Sequence, residues 1–463
     1  MIKRFFATKD NTITDAFEEN LVTRGTGSNM GASDILETFS IYGQSDSTSL
    51  EKARILIEFD PDFTQVPSSG VSWYLKMFNA PHSQTVPRNF TLAIQAISSS
   101  WEEGYGIDMD YYEDKTRDGV GSNWIQARLS QSSDNGQWTT QGGDYLEANA
   151  TSATFSTGLE NLEVDVTDIV NVWKDDPSLN YGFGVMMSGS FEDGTAGRSF
   201  FTKKFFGRDS EFFFQRPVLE ARWDSTRKDD RGYFYASSSL VSANDNLNTL
   251  YLYNRVRGRL RDYPVAPTSA SIRISADTPI ADASASVGRV STGIYSASIA
   301  FETTASTVYD VWYSGSTAYH TGTISVKSFD SIDYNPENAY VLSMPRLRKE
   351  YRKNQTHRLD LYVREKNWSP NIYTVAVQSS IPSLIIPSSS YQIRRSIDDL
   401  VVVPYGTGST SHTGLSYDVS GNYFDLDTTY LESGYLYDVQ YSFYDEENGW
   451  EEQPYRFKFR VVD

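Results

Sequence analysis

The stretch VDVTDIVNVWKDDPSLNYGFGV, residues 164–185, decides how the first half of the chain is read. Leu162, Val164 and Val166 alternate with Glu163 and Asp165, the period of a half-buried strand. Thr167 follows as a candidate N-cap, with Asp168 at the first helical position. Ile169, Val170 and Trp173 fall at helical spacing until Pro177, which cannot continue a helix. A turn rich in Asp, Pro and Asn then leads to YGFGVMM (181–187), read as a buried strand whose glycines admit close backbone approach. The order is strand, short helix, turn, strand. The rest of residues 1–225 supplies strands to pack on it.

Composition agrees with a β protein. In 463 residues, Tyr (31) and Phe (25) dominate the aromatics, which together with Thr, Val and Ile favour strands over helices. The hydrophobic fraction of 39% is ample for several cores, so disorder is not expected. A net charge of −19 argues against docking along nucleic-acid phosphates. Cysteine is absent, which excludes disulfides and thiolate chemistry. The N-terminal MIKRFFATKD has no apolar core long enough for a signal peptide, and no run reaches the roughly 18 apolar residues of a membrane span. No export by those routes and no membrane partner are therefore expected.

DVTD (165–168), Trp173 and NYGF (180–183) resemble the core signature of the DNRLRE-type β-sandwich domain, a jelly roll related in shape to carbohydrate-binding modules. ARILIE (53–58) and Tyr42 are similar to its early strands. WEEG (101–104) with Gly106 is similar to its W-x-E-G-x-G corner, and Trp124, Trp138, GGDY (142–145) and LEAR (219–222) to later parts. The resemblance implies a fold for the first half and leaves activity open, because this scaffold carries many functions.

Several residues invite a chemical reading. WEEGYGIDMDYY (101–112) concentrates acids. Glu102 or Glu103 with Asp108 or Asp110 could form a glycosidase carboxylate pair, the same four could hold Ca²⁺ through oxygen ligands, or they could face solvent at a corner. No EF-hand spacing is present. Trp124 and Trp138, in polar glycine-bearing surroundings, are either candidate glycan contacts or core anchors. RGTGSNMGAS (24–33) lacks the Lys of a phosphate-binding loop and reads as a surface loop. The four histidines, His82, His320, His357 and His412, show no metal-ligand spacing, and neither a nucleophile elbow nor a dinucleotide fingerprint appears. No enzyme and no cofactor are expected. SFFTKKFF (199–206) pairs its phenylalanines, so one of each pair must face out on a half-buried strand; another chain or the next domain is its expected cover, which makes Phe200 and Phe206 candidate protein-interface residues.

WDSTRKDD (223–230) reads as a charged junction. Residues 226–332 then read as an Ig-like β-sandwich and residues 333–463 as a third β domain, giving an all-β chain: a jelly-roll sandwich over 1–225 and two smaller sandwiches. In NRVRGRLRD (254–262), Arg255, Arg257, Arg259 and Arg261 alternate. An extended reading puts all four on one face, suited to an acidic protein partner. LVVVP (400–404) reads as an edge strand because of its Pro. SYDVSGNYFDLD (416–427) and RFKFRVVD (456–463) are similar to the C-terminal region of virion structural proteins of marine tailed phages. That resemblance implies a non-enzymatic virion component of head, neck or tail, assembled in the host cytoplasm and bound to other virion proteins. The alternative is a glycan-binding adhesin or wall-associated protein touching a host surface glycan. A polysaccharide-degrading enzyme using the acids of 101–112 ranks third.

Overall fold

The computed structural model describes the chain except residues 19, 43–49, 84–85, 87, 108–120, 129–134, 196–198, 243, 276–282, 328–338, 367–371 and 373–382. The protein is nearly all β, with helix confined to short pieces, Thr167–Asp175 and Ser190–Asp193 the α-helical ones among the described residues. It divides into two compact units, Ile2–Trp223 and Asp224–Asp463 (the latter grouped with Met1).

In the first unit the strand Ile2–Thr14 belongs to two layers. Its first half pairs with Val218–Arg222, and its second half with Leu50–Phe59. The register shifts between Ala7 and Lys9, where the strand turns the corner from one layer to the other. One layer continues through Ser72–Met77 to Leu162–Asp165. The other continues through Phe183–Met187 and Phe90–Ile97 to Tyr145–Phe155, with Ile35–Tyr42 and Ser199–Phe206 joined to Leu50–Phe59.

The central stretch folds as strand, helix, 3-10 turn and strand. Leu162, Val164, Val166, Ile169, Val170 and Trp173 are all buried. The cap differs from expectation: Val166 occupies that position without a side-chain bond, and Thr167 is already helical. Thr167 has a second task, because its hydroxyl accepts the Trp73 N–H at 2.9 Å while Asp165 accepts the Thr167 N–H at 2.9 Å. Trp173 packs on Phe183 with ring centres 4.6 Å apart, and Phe183 on Phe59 at 6.1 Å. Burying Phe183 alone contributes about 1.5–3 kcal/mol. A side chain at Gly184 would strike the Tyr145 ring, so the glycine is required for close approach rather than for a turn.

The strand Val218–Arg222 is buried throughout, charges included. Glu220 receives Arg4 Nε at 2.5 Å and Arg222 Nε at 2.6 Å, with Lys76 Nζ at 3.9 Å. Glu163 takes Arg222 Nη2 at 2.6 Å and Lys76 Nζ at 3.2 Å. Five charges thus tie four neighbouring strands on one face. Burial alone would push the Glu220 carboxyl up; the Arg4, Lys76 and Arg222 charges outweigh it and hold it far below the usual carboxylate range.

In the second unit, one group of strands encloses a core of Phe234, Leu250, Ile272, Tyr295, Val308 and Trp312. A five-stranded sheet through Thr307–Ser314 and Thr317–Lys327 faces a three-stranded one through Asn248–Tyr253 and Ile294–Ile299. In Thr307–Ser314 the inward set includes Asp310, which is buried because Arg231 grips it at 2.7 and 2.6 Å and Trp312 Nε1 donates to it at 2.7 Å. A second group has a four-stranded sheet around Thr356–Glu365 and a six-stranded sheet around Leu436–Asp445. Leu400–Val403 is an edge strand, as its Pro implies, and Phe457–Val462 is held between Glu350–Arg352 and Leu436–Asp445. The segment before Phe234 joins the two groups: Tyr417 donates its hydroxyl to Asp230 at 2.7 Å, and its carbonyl accepts the Asp229 N–H at 3.1 Å.

Candidate functional site

The acidic corner and the Gly-rich loop, 74 residues apart, meet at one side chain. Asn29 is buried, and its amide is fully used. Its oxygen accepts the N–H of Gly106 at 2.9 Å and of Gly31 at 3.2 Å; its nitrogen donates to the carbonyls of Glu103 at 2.7 Å and Ser122 at 2.8 Å. Side chains at Gly104, Gly106 or Gly121 would collide with Asn29. The G-x-G spacing of the corner therefore serves to admit this asparagine. Asn11 adds bonds to Ser122 and to the Met30 N–H.

Glu103 is committed to the same structure. The Arg208 fork donates to its carboxylate at 2.6 and 2.9 Å, and the Asp10 N–H at 2.8 Å. Asp10, 1% exposed, accepts the Arg208 N–H at 2.6 Å. Burial pushes the Asp10 carboxyl up to about 7, opposed by that N–H and reinforced by the Glu103 charge. Asp10 is sealed from solvent, and the Glu103 carboxylate is engaged by the Arg208 fork and the Asp10 N–H. Asp108 and Asp110 lie outside the described residues. Among the described residues no group of three or more His, Asp or Glu is placed to hold a metal ion.

Asp10 carries a pH signature. Its folded-state value lies above its unfolded one, so between about pH 4 and 7 the folded protein binds the extra proton and stability falls as pH rises. Asp10→Asn is expected to remove that decline from the unfolding transition of the first unit. An unchanged slope of thermal midpoint against pH would reassign the titration.

The tryptophans nominated for glycan contact are core. Trp124 and Trp138 are each 5% exposed and pack with Ile13, Leu56, Ile97 and Trp101. Their loop folds back because Trp124 N–H reaches Thr26 O at 3.0 Å, Gly142 N–H reaches Trp124 O at 2.7 Å, and Trp138 Nε1 donates to Asn123 O at 2.8 Å. Gly142 leaves room for the Trp124 ring, over which the Arg54 guanidinium lies at 4.9 Å. Neither ring is available to stack on a sugar.

The arginine run is not one strand. The chain reverses at Arg257 and Gly258, both with positive φ, in a two-residue hairpin pairing Arg255 with Leu260 and Val256 with Arg259. Arg255 and Arg259 therefore project to opposite faces, correcting the single-face expectation. All four arginines are exposed. The hairpin stem is pinned by Asn254, which donates to Gly293 O at 2.8 Å and, through its side chain, to Arg261 O at 2.7 Å. Among the described residues none of the four makes an ion pair, whereas Arg4, Arg208, Arg222, Arg231 and Arg358 all do.

Phe201, Phe205 and Phe206 find cover inside their own unit, where another chain or the next domain was the expected cover. Phe205 is buried, Phe206 lies edge-on to Phe212 at 5.6 Å, and Phe201 packs on Phe191 at 5.2 Å. Phe200 pairs through its backbone with Ile41, and its side chain lies outside the described residues. A cleft of about 320 Å³ lies beside the central helix, lined by Asn149, Asp165, Thr167 and Asp168. The polar groups of Asp165 and Thr167 there are already used, by the local turn and by the Trp73 N–H of the neighbouring strand.

No protein-family model matches the chain, and no curated protein matches it. Among solved structures it is similar to the adhesin InvE of Yersinia pseudotuberculosis, at 11% identity and a TM-score of 0.17 over 51% of this chain and 57% of that one. It is also similar to Salmonella alpha-2-macroglobulin reacted with methylamine (8%, TM-score 0.15, 89% of this chain and 22% of that one) and to trypsin-activated alpha-2-macroglobulin of Escherichia coli (8%, 0.15, 99% and 30%). The chain spans just over half the length of the adhesin and less than a third of either macroglobulin. Likeness at this level assigns neither family nor function.

Proposed function

We propose that the chain is a non-enzymatic structural protein of a tailed-phage virion, attached to other virion proteins at the head, neck or tail. The virion part rests on the sequence resemblance of residues 416–427 and 456–463. The attachment part rests on one observation: a hairpin that displays four exposed guanidiniums, none ion-paired among the described residues, on a chain of net charge −19. Cations left unpaired in an acidic protein are available to carboxylates elsewhere, and arginine pairs them in a bidentate way. The partner surface is an acidic protein surface, not nucleic acid, which the net charge repels.

The test is incorporation into particles. Arg257→Asn with Arg259→Ala keeps the turn, since asparagine enters the left-handed region more readily than most residues. Loss of desolvated pairs costs about 2–5 kcal/mol each, so occupancy is expected to fall at least about tenfold while the isolated protein unfolds at its normal temperature. Full occupancy of the double variant removes the hairpin from the interface.

A further inference from the structure

We infer that the second unit carries a binding site for a neutral saccharide, built around Trp450. The site is independent of the arginine hairpin and goes beyond the assembly role. Trp450 is 39% exposed, while Trp73, Trp101, Trp124, Trp138, Trp173, Trp223 and Trp312 are all buried. It sits on Gly449–Glu452, opposite Tyr444 on Leu436–Asp445, with the two rings 5.6 Å apart and tilted by 60°. The pair forms an aromatic ledge that is partly open to solvent.

Beside the ledge is a half-open pocket of about 110 Å³, lined by Trp450 and by polar groups from separate parts of the unit, among them Asp224, Lys228, Ser388 and Ser411. Two glycines give it a backbone floor. A side chain at Gly406 would strike the His412 ring, and one at Gly414 would strike Thr226, so the close packing under the pocket depends on both. The loop carrying them is fixed: Thr413 Oγ1 accepts the Gly406 N–H at 2.5 Å and lies 2.8 Å from the Ser390 hydroxyl.

The chemistry of the lining selects the ligand. One carboxylate and one ammonium leave the pocket without net formal charge, so it does not call for an ionic ligand. Hydroxyls, a carboxylate and an ammonium in one lining suit a ligand with many hydroxyls, each both donor and acceptor. The aromatic ledge suits a ligand that also has an apolar face of C–H groups. A neutral pyranose has both properties, and the open side of the pocket leaves room for a chain of them.

The test uses the full chain and saturation-transfer NMR with a panel of neutral probes: glucose, galactose, mannose and N-acetylglucosamine, and their short oligomers. At least one is expected to show transfer. Trp450→Ala is expected to weaken that binding by about tenfold or more, and Asp224→Asn to weaken it as well. Tyr444→Phe keeps the ledge and is expected to keep the binding; should Trp450→Ala unfold, Asp224→Asn, outside the hairpin, carries the test, and binding unchanged in it overturns the site. The Arg257→Asn, Arg259→Ala variant is expected to bind saccharide normally, so this inference and the assembly role fail separately. Absence of transfer from every probe at millimolar concentration overturns the site. So does binding that survives Trp450→Ala, or a preference for sialic acid over every neutral probe.

Discussion

Replacing Glu220 by Gln lowers the unfolding free energy of the first unit by about 3–5 kcal/mol, the usual cost of removing one partner from a buried ionic cluster. The substitution keeps volume and shape but leaves Arg4 and Arg222 buried around a neutral amide, with Lys76 near by. Glu163 compensates only in part, because it faces Arg222 and Lys76. The same cluster sets an acid limit. The folded-state carboxyl of Glu220 is depressed, so its contribution is complete above the unfolded value near pH 4.3 and is lost as pH falls below it. Urea unfolding of the wild type and Glu220→Gln at pH 7 and pH 3 measures both effects, and the gap between the two proteins should narrow at the lower pH. A variant as stable as the wild type at pH 7 would show that the cluster contributes nothing net.

Replacing Asn29 by Leu is expected to cost at least about 3 kcal/mol. Four buried backbone groups, on Gly31, Gly106, Glu103 and Ser122, lose their partner at once, and each unsatisfied group costs about 1–3 kcal/mol. Asn29→Asp should be at least as harmful at neutral pH, since a carboxylate oxygen would then face two carbonyl oxygens. Gly106→Ala should reproduce the defect from the other side of the contact, because its methyl would meet the Asn29 backbone. Amide exchange around residues 26–33 and 102–106 reads the result directly. Protection unchanged in all three variants would show that the two segments are held together by something else.

What the sequence revealed was whatever a short window determines. The alternation of Leu162, Val164 and Val166 and the spacing of Ile169, Val170 and Trp173 each lie within one element, and all six side chains are buried as read. The fold class follows from such windows repeated along the chain. The corner did not follow, because WEEG and GTGSNMGAS look like two loops until Asn29 joins them, and nothing in either segment names the other. For Trp124 and Trp138 the core alternative holds and the glycan one does not; polar neighbours in sequence are not neighbours in space, and their burial is decided by Gly142, Arg54 and Ile13. The arginine hairpin was within reach. Gly258 at the centre of an alternating run is a turn signal, and reading it would have replaced one strand by two. Trp450 gave no sign of its exposure, since WEEQ after a glycine reads like the buried corner at Trp101.

The pairing of Ile2 with Arg222 and Phe6 with Val218 sets a timetable for synthesis. The strand Ile2–Thr14 has one of its partners more than 200 residues later in the chain. At roughly 5–20 residues per second, it must wait roughly 10–40 s before that ladder can close. Until then half of Ile2–Thr14, with Phe5 and Phe6, has an open edge. The second half of the same strand can zip to Leu50–Phe59 much earlier, so the bulge between Ala7 and Lys9 divides an early-folding segment from a late one. Nascent chains stalled before residue 218 should thus bind chaperones through residues 2–6, and release should coincide with the emergence of Val218–Arg222 from the exit tunnel.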